Sequence, residues 1–190
     1  MLNIGYLTSD TTDSGDERYT PFYAVTPIVK HLKNSGYKTV WCPFDEEWSA
    51  YVRMLREEGF KVIRSSISDG KDFFQYEPDE QYDVIISNPP FSKKCEVLHR
   101  LDELGKPFAI LLPIGSLQGK SQFDVFKNGI QLLSFDRRID FYTPENINMT
   151  VQCPPFASAY FCRDFLPRDL IVEWLDKYDR PLIEDGASGC

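Results

Sequence analysis

Short apolar segments alternate with longer segments of helical periodicity along this chain, and that alternation constrains the fold more than any other feature. A helix is predicted to begin at Thr26 and Pro27, an N-cap followed by a proline, and to end at Gly36. Strands that alternate with such helices predict βαβ units and a largely parallel sheet. Four apolar runs are typical of strands buried on both faces: residues 38–42, 60–63, 82–87 and 108–112.

The rest of the chain continues this pattern. Further helices are predicted for residues 47–58, 92–104, 122–128 and 167–176, with Ser92 as the cap of the second. Later strands are predicted for residues 132–135, 139–142 and 157–161. We therefore predict an α/β fold, a doubly wound and mostly parallel seven-stranded sheet with helices on both faces, and a single domain over residues 1–190. Ligands of such sheets bind at the carboxyl ends of strands, so the candidate loops follow Cys42, Ile63 and Ser87.

The composition excludes several classes of protein. With 42% hydrophobic and 26% charged residues, the chain is typical of a globular domain. No apolar run approaches the roughly 20 residues that span a bilayer, and the first residues lack the pattern of a secretion signal. We therefore expect a cytoplasmic protein that does not enter a membrane. Because the five cysteines form no C-x-x-C pair and His31 and His99 lie far apart, no metal site is predicted.

One loop is more specific than the rest of the sequence. The apolar run at residues 82–87 leads directly into Asn88, Pro89, Pro90 and Phe91. Two consecutive prolines fix two φ angles and remove two N–H donors, and the residue before a proline is extended. The loop is therefore predicted to be rigid. An ordinary turn that contains two prolines is the alternative interpretation.

A rigid loop of this kind suits an amino group as its target. The Asn88 side-chain oxygen and the Pro89 carbonyl can both accept hydrogen bonds from one –NH2 group, and Phe91 offers a flat face for the ring that carries it. Two acceptors favour the more tetrahedral nitrogen that develops as an aromatic amine attacks an electrophile. The expected catalysis is positioning with preorganised dipoles, and it needs no general base before the attack.

This loop resembles the catalytic motif of amino-methyltransferases that use S-adenosylmethionine. The order of segments along most of the chain is similar to that of small phage-type adenine-N6 DNA methyltransferases with an Asn-Pro-Pro-Phe motif. The resemblance implies a Rossmann-like class I methyltransferase fold, S-adenosylmethionine as the cofactor, and an exocyclic amine, adenine N6 in DNA above all, as the acceptor. It also implies that Asn88, Pro89, Pro90 and Phe91 form the catalytic loop.

The resemblance also assigns a cofactor site. This sequence departs from the family's pattern at the first motif. Cys42 replaces the usual acidic residue, and no glycine precedes the helix. Asp45 is the residue that can compensate for this difference. The family's acid after the second strand is replaced by Arg64-Ser65-Ser66. The implied cofactor-binding residues are Tyr19, Thr20, Pro21, Asp45, Asp72 and Phe73.

Substrate and partners stay open at this point. DNA is the favoured nucleic acid, RNA adenine or guanine and a protein glutamine amide are alternatives, and a catalytically silent binding protein with the same fold is another. A net charge of −8 opposes tight binding to a phosphate backbone. No segment is long enough for a separate target-recognition domain, so a homodimer or a partner subunit is a possible source of specificity.

Overall fold

The computed structural model describes residues 18–151 and 154–183. Four α-helices occur in these residues: α1 (Phe22–Ser35), α2 (Ala50–Glu57), α3 (Lys94–Leu104) and α4 (Lys120–Phe126). The strands of the same residues are β1 (Thr39–Cys42), β2 (Lys61–Arg64), β3 (Val84–Ser87), β4 (Phe108–Pro113), β5 (Gln131–Phe135), β6 (Phe141–Thr143), β7 (Asn146–Val151), β8 (Ser158–Arg163) and β9 (Leu170–Glu173). None of the described helices is both long enough and apolar enough to cross a membrane.

Seven of the strands form one sheet in the order β2-β1-β3-β4-β8-β5-β9. Strands β1, β2, β3 and β4 are parallel, β5 is parallel to β9, and β8 runs antiparallel to both of its neighbours. The predicted α/β fold with a mostly parallel seven-stranded sheet is therefore confirmed. One member differs from the prediction, because the strand expected at residues 139–142 forms β6, which pairs with β7 in a separate hairpin.

Each face of the sheet has its own core. Val40 and Ile86 lie on the face that α1 and α2 cover, whereas Trp41 and Ile85 lie on the face that α3 covers. Successive strand residues point to opposite faces, so a strand covered on both sides must be apolar throughout. This explains why the central strands are continuous apolar runs in the sequence.

Helix α1 begins earlier than predicted, at Phe22 rather than after Thr26. Pro21 precedes the first turn, and burial of Phe22 extends the helix toward the N-terminus. Pro27 thus lies inside the helix, and the Thr26 hydroxyl donates to the Phe22 carbonyl at 3.2 Å instead of capping the helix. The predicted end is confirmed, because Gly36 adopts a left-handed φ of 86° that favours glycine.

The helix predicted for residues 92–104 is also confirmed, but its predicted cap is wrong. Ser92 lies within a short 3₁₀ turn, Phe91–Lys93, and α3 begins at Lys94 without a side-chain cap. The 3₁₀ turn follows Pro90 directly, so Ser92 lies inside the turn and the residue before α3 is Lys93. The helix ends at Leu104 before Gly105, as expected.

The helix predicted for residues 167–176 is wrong, because this segment contains strand β9. Ile171 and Leu175 are buried, whereas Leu170, Val172 and Trp174 are exposed, and this alternation has the period of a strand. β-Branched residues favour strands, and the parallel pairing with β5 decides between two patterns that a short apolar run leaves open.

Candidate functional site

A cavity of about 700 Å³ lies at the carboxyl ends of β1, β2 and β3. The loops that follow these three strands line it, and the segment before α1 closes one side. This is the edge of a parallel sheet at which ligands bind. Most of the site residues predicted from the sequence line this single cavity: Tyr19, Thr20, Asp45, Asp72, Phe73, Asn88, Pro89 and Pro90. Pro21 and Phe91 are not among the residues that line it.

The Asn88 side chain is held in one orientation. Its Nδ2 donates to the carbonyl of Arg18 at 2.6 Å, which turns the other amide atom, Oδ1, away from that carbonyl. Oδ1 is buried and accepts no hydrogen bond from any residue that the structure describes. A buried acceptor without a donor is costly and rare in folded proteins. Asn88 therefore lines the cavity and carries an acceptor whose hydrogen bond no described residue supplies.

Phe91 lies beside the cavity rather than in its wall. Its ring meets Phe156 edge to face at a centroid distance of 5.4 Å and Phe141 at 6.1 Å. These contacts connect the loop after β3 with β6 and with the segment before β8. The partly buried Phe91 ring thus belongs to an aromatic cluster at the end of the loop. Its predicted use as a stacking face stays a prediction.

The segment before α1 is held by backbone pairing. Tyr19 forms an isolated antiparallel bridge with Tyr142, with two N–H to carbonyl bonds of 3.0 Å. The Tyr19 ring packs edge to face against Trp48 at 4.8 Å, and Thr20 is buried beside it in the cavity wall. Pro21 precedes α1 and directs the chain into the helix.

Asp45 connects the turn after β1 to the start of the 88–91 loop. The carboxyl group is buried and accepts a hydrogen bond from the hydroxyl of Ser87, the last residue of β3. Burial raises the pKa of Asp45 to about 7, although hydrogen bonds from Ser87 and Ser49 act in the opposite direction. Asp45 therefore lines the cavity and also holds two of its loops together.

Burial of Asp45 predicts a pH-dependent stability. A carboxyl group whose pKa is higher in the folded than in the unfolded chain stabilises the fold most when protonated, so stability falls as pH rises toward 7. We expect Asp45→Asn, which mimics the protonated acid, to reduce the loss of unfolding free energy between pH 5 and pH 7 by about 1 kcal/mol per pH unit. Urea unfolding of both proteins at several pH values measures this slope. Identical slopes would contradict it.

Glu46 is a cavity residue that the sequence does not single out. Its Oε1 accepts hydrogen bonds of 2.6 Å from the hydroxyls of Ser66 and Ser68, just beyond β2. The other oxygen, Oε2, lies 3.4 Å from Arg64. A carboxylate thus stands at the carboxyl end of β2, where the sequence itself has none. The acidic run at residues 45–47 is the signal for it, but the sequence analysis begins a helix at residue 47, whereas α2 begins only at Ala50.

Asp72 and Phe73 form the far wall of the cavity. Asp72 Oδ1 accepts from the backbone N–H of Phe74 at 3.0 Å, a local turn that fixes the loop. Phe73 is buried and packs against Trp41 at 5.4 Å and Phe44 at 4.8 Å. The wall is therefore aromatic and apolar, with the Asp72 carboxylate beside it. No cluster of His, Cys, Asp and Glu in the described ranges could hold a metal ion.

Comparison with known proteins adds little to this geometry. No family model matches the sequence, and no curated protein matches it. Among solved structures, the chain is similar to a protein from Thermoplasma acidophilum described as a “putative methyltransferase”, with 13% identity over 82% of this chain and 68% of that chain and a TM-score of 0.38. So distant a similarity assigns no function, which must be inferred from the cavity.

Proposed function

We propose that this chain transfers a methyl group from S-adenosylmethionine to an exocyclic amino nitrogen, with adenine N6 in DNA as the favoured acceptor. The observation that carries the proposal is the Asn88 amide. Asn88 lines the cavity, its Nδ2 donates to the Arg18 carbonyl, and its buried Oδ1 has no donor among the described residues. An amino group is a donor that satisfies such an acceptor.

The cavity has the properties that the cofactor requires. Its volume of about 700 Å³ lies in the range of sites for small molecules and cofactors. Glu46 offers a carboxylate to hydroxyl groups of a ribose, and the apolar wall of Phe44 and Phe73 suits an adenine ring. Asp72 lies beside that wall and can accept from the adenine amine. In this proposal these groups would take the place of the glycine turn and the ribose-binding acid that the sequence lacks at the expected positions.

The 88–91 loop would act by positioning. Bound S-adenosylmethionine supplies an electrophilic methyl group. Asn88 Oδ1 accepts a hydrogen bond from the substrate amine and orients the nitrogen lone pair toward that methyl, while Pro89 and Pro90 prevent the loop from yielding. The dipole is set before the reaction, so no reorganisation is needed as positive charge develops on the nitrogen. The methylated amine then loses a proton to water.

The choice of DNA rests on the resemblance of the 88–91 loop. RNA adenine or guanine and a glutamine amide present the same –NH2 donor, and a base within a duplex must leave the stack to reach the cavity. The net charge of −8 opposes binding to a phosphate backbone. We therefore propose that a second protein surface helps to bring the acceptor to the cavity. The alternative from another class is a binding protein that retains the cavity but transfers no methyl group.

Two measurements test the proposal. Calorimetric titration with S-adenosylmethionine should give micromolar or tighter binding, and the absence of heat at millimolar cofactor would reject it. Transfer of a radiolabelled methyl group to duplex DNA, single-stranded DNA, RNA and protein should then label DNA at the adenine N6 position. Labelling of RNA or protein instead would show that DNA is not the acceptor and would identify the class of molecule that is. Binding without any transfer would favour the silent binding protein.

A further inference from the structure

The cavity wall carries two basic side chains close to Asn88 in the fold. Arg18 and Lys93 are the basic residues among the described residues that line the cavity. Neither forms an ion pair with a described residue, whereas Arg64, at the end of β2, pairs with three acids. The positive charge of the cavity wall is therefore not neutralised by the described part of the protein.

The backbone holds both basic residues at fixed places relative to Asn88. The carbonyl of Arg18 accepts from Asn88 Nδ2 at 2.6 Å, and the next residue, Tyr19, is held by its antiparallel bridge to β6. Along the chain, the N–H of Lys93 donates to the carbonyl of Pro90 at 3.1 Å, in the 3₁₀ turn that follows the two prolines. Both side chains thus start from a rigid backbone, and only their long stems have to adjust to a ligand.

The acidic side chains of the cavity are distributed differently. Glu46 and Asp72 belong to the loops after β1 and β2, and Asp45 is buried in the first of these loops. Glu96, in the first turn of α3, is the cavity acid that follows β3. It is exposed and forms no ion pair with Lys93. The part of the wall next to the 88–91 loop therefore carries more positive than negative charge, unlike the rest of the cavity.

A phosphodiester group matches this arrangement. In the proposed reaction the substrate amine lies at Asn88 Oδ1, and the rest of the substrate extends from there toward solvent. Lys93 is exposed and Arg18 is half-buried, so both can meet that part of the substrate. A nucleotide within a strand has a phosphate on each side of its sugar, and arginine and lysine bind phosphate oxygens. A glutamine side chain offers no charge to either residue.

We propose that Arg18 and Lys93 form a phosphate site, which binds the two phosphodiester groups beside the target nucleotide, and that the acceptor is therefore a nucleic-acid strand. The inference deepens the proposed function and rests on it for the position of the amine at Asn88. Because the chain has a net charge of −8, we expect the strand to bind weakly and to depend strongly on these two contacts.

Binding of a fluorescein-labelled single-stranded DNA that contains one adenine tests the site without any methyl transfer. A single strand is chosen because its bases need not leave a duplex. Each phosphate contact adds about 0.7 to the slope of log Kd against log salt concentration. Arg18→Gln and Lys93→Gln should each lower this slope by about 0.7 and weaken binding roughly tenfold at about 50 mM salt. The Arg18 carbonyl that orients Asn88 is retained in the first variant.

Two further comparisons identify the bound group as phosphate. Uncharged methylphosphonates in place of the two phosphates beside the adenine should weaken binding to the wild type. They should not weaken binding to the double variant, Arg18→Gln with Lys93→Gln, because the contacts are already lost. Glu96→Gln removes the opposing charge, so it should tighten binding by about threefold.

Lys38→Gln is the matched control for the two basic residues. Lys38 is exposed and precedes β1, so it lies at the amino ends of the parallel strands, on the edge of the sheet opposite the cavity. The variant loses the same charge, and it should keep the wild-type slope. The phosphate site would be overturned by an equal loss in Lys38→Gln, by a double variant with the wild-type slope, or by weaker binding in Glu96→Gln.

Failure of this site can be told apart from failure of the proposed methyl transfer. Binding with the expected slopes, but without transfer to any acceptor, would reject the proposed function and support the phosphate site. Transfer to a glutamine-containing peptide by a protein that binds no DNA strand at about 50 mM salt would overturn the phosphate site and support methyl transfer.

Discussion

Replacing Asn88 with alanine is expected to lower the rate of methyl transfer by at least about 100-fold, while S-adenosylmethionine binds with nearly unchanged affinity. In the proposed mechanism Oδ1, which has no donor among the described residues, accepts from the substrate nitrogen, while Nδ2 donates to the Arg18 carbonyl. Its removal therefore takes away an interaction that strengthens as the nitrogen becomes tetrahedral. Single-turnover transfer of a radiolabelled methyl group, together with calorimetry of cofactor binding, measures the two effects separately.

The matched control for this variant is Asn34→Ala. Asn34 is an exposed asparagine whose Nδ2 donates to the Lys30 carbonyl within α1, far from the cavity lining. It should keep full transfer activity. If Asn88→Ala lost cofactor binding and transfer in equal measure, Asn88 would be a part of the cofactor site and the proposed role in substrate alignment would be wrong.

Replacing Glu46 with glutamine is expected to weaken S-adenosylmethionine binding by roughly 10- to 100-fold. The glutamine keeps the shape of the side chain, but it removes the charge that strengthens hydrogen bonds with hydroxyl donors. Ser66 and Ser68 already orient the carboxylate at 2.6 Å, so little rearrangement accompanies binding. Calorimetric titration gives the affinity, and transfer at saturating cofactor should change much less than the affinity.

Glu47 supplies the control for Glu46. It is the next residue, and its pKa is lowered to about 2 by hydrogen bonds from Arg56 and Arg64, yet it does not line the cavity. Glu47→Gln should therefore leave cofactor affinity within about twofold, because the paired charge is exposed and contributes little at a distance. Equal losses in the two variants would show a general effect of charge on the turn rather than a contact with the cofactor.

Much of the fold is local in origin and was predictable. The central strands are apolar throughout, and Gly36 and Gly105 end helices in left-handed conformations that favour glycine. The 88–91 loop was predictable for the same reason, since two prolines determine its backbone wherever it lies. These features depend on neighbours in the sequence.

The missed features depend on distant residues. The position of the Glu46 carboxylate is determined by hydrogen bonds from Ser66 and Ser68, and no local sequence pattern predicts these contacts. Strand β9 is selected by pairing with β5, although its sequence also fits a helix. The position of the Phe91 ring beside the cavity is likewise determined by packing against Phe141 and Phe156, and its use as a stacking face stays a prediction. Tertiary packing thus overrides local preference at these positions.

The bridge between Tyr19 and Tyr142 also bears on the order in which the protein is built. Tyr19 precedes α1 and Tyr142 lies in β6, so the loop that their pairing closes includes five strands of the sheet, β1 to β5. Closing so long a loop is entropically unfavourable until the intervening strands are in place. During synthesis, the wall that holds Arg18 against Asn88 can therefore form only after β6 has left the ribosome. A nascent chain can therefore pair β1 to β4 before it carries an oriented Asn88 amide, whereas β5 waits for β8.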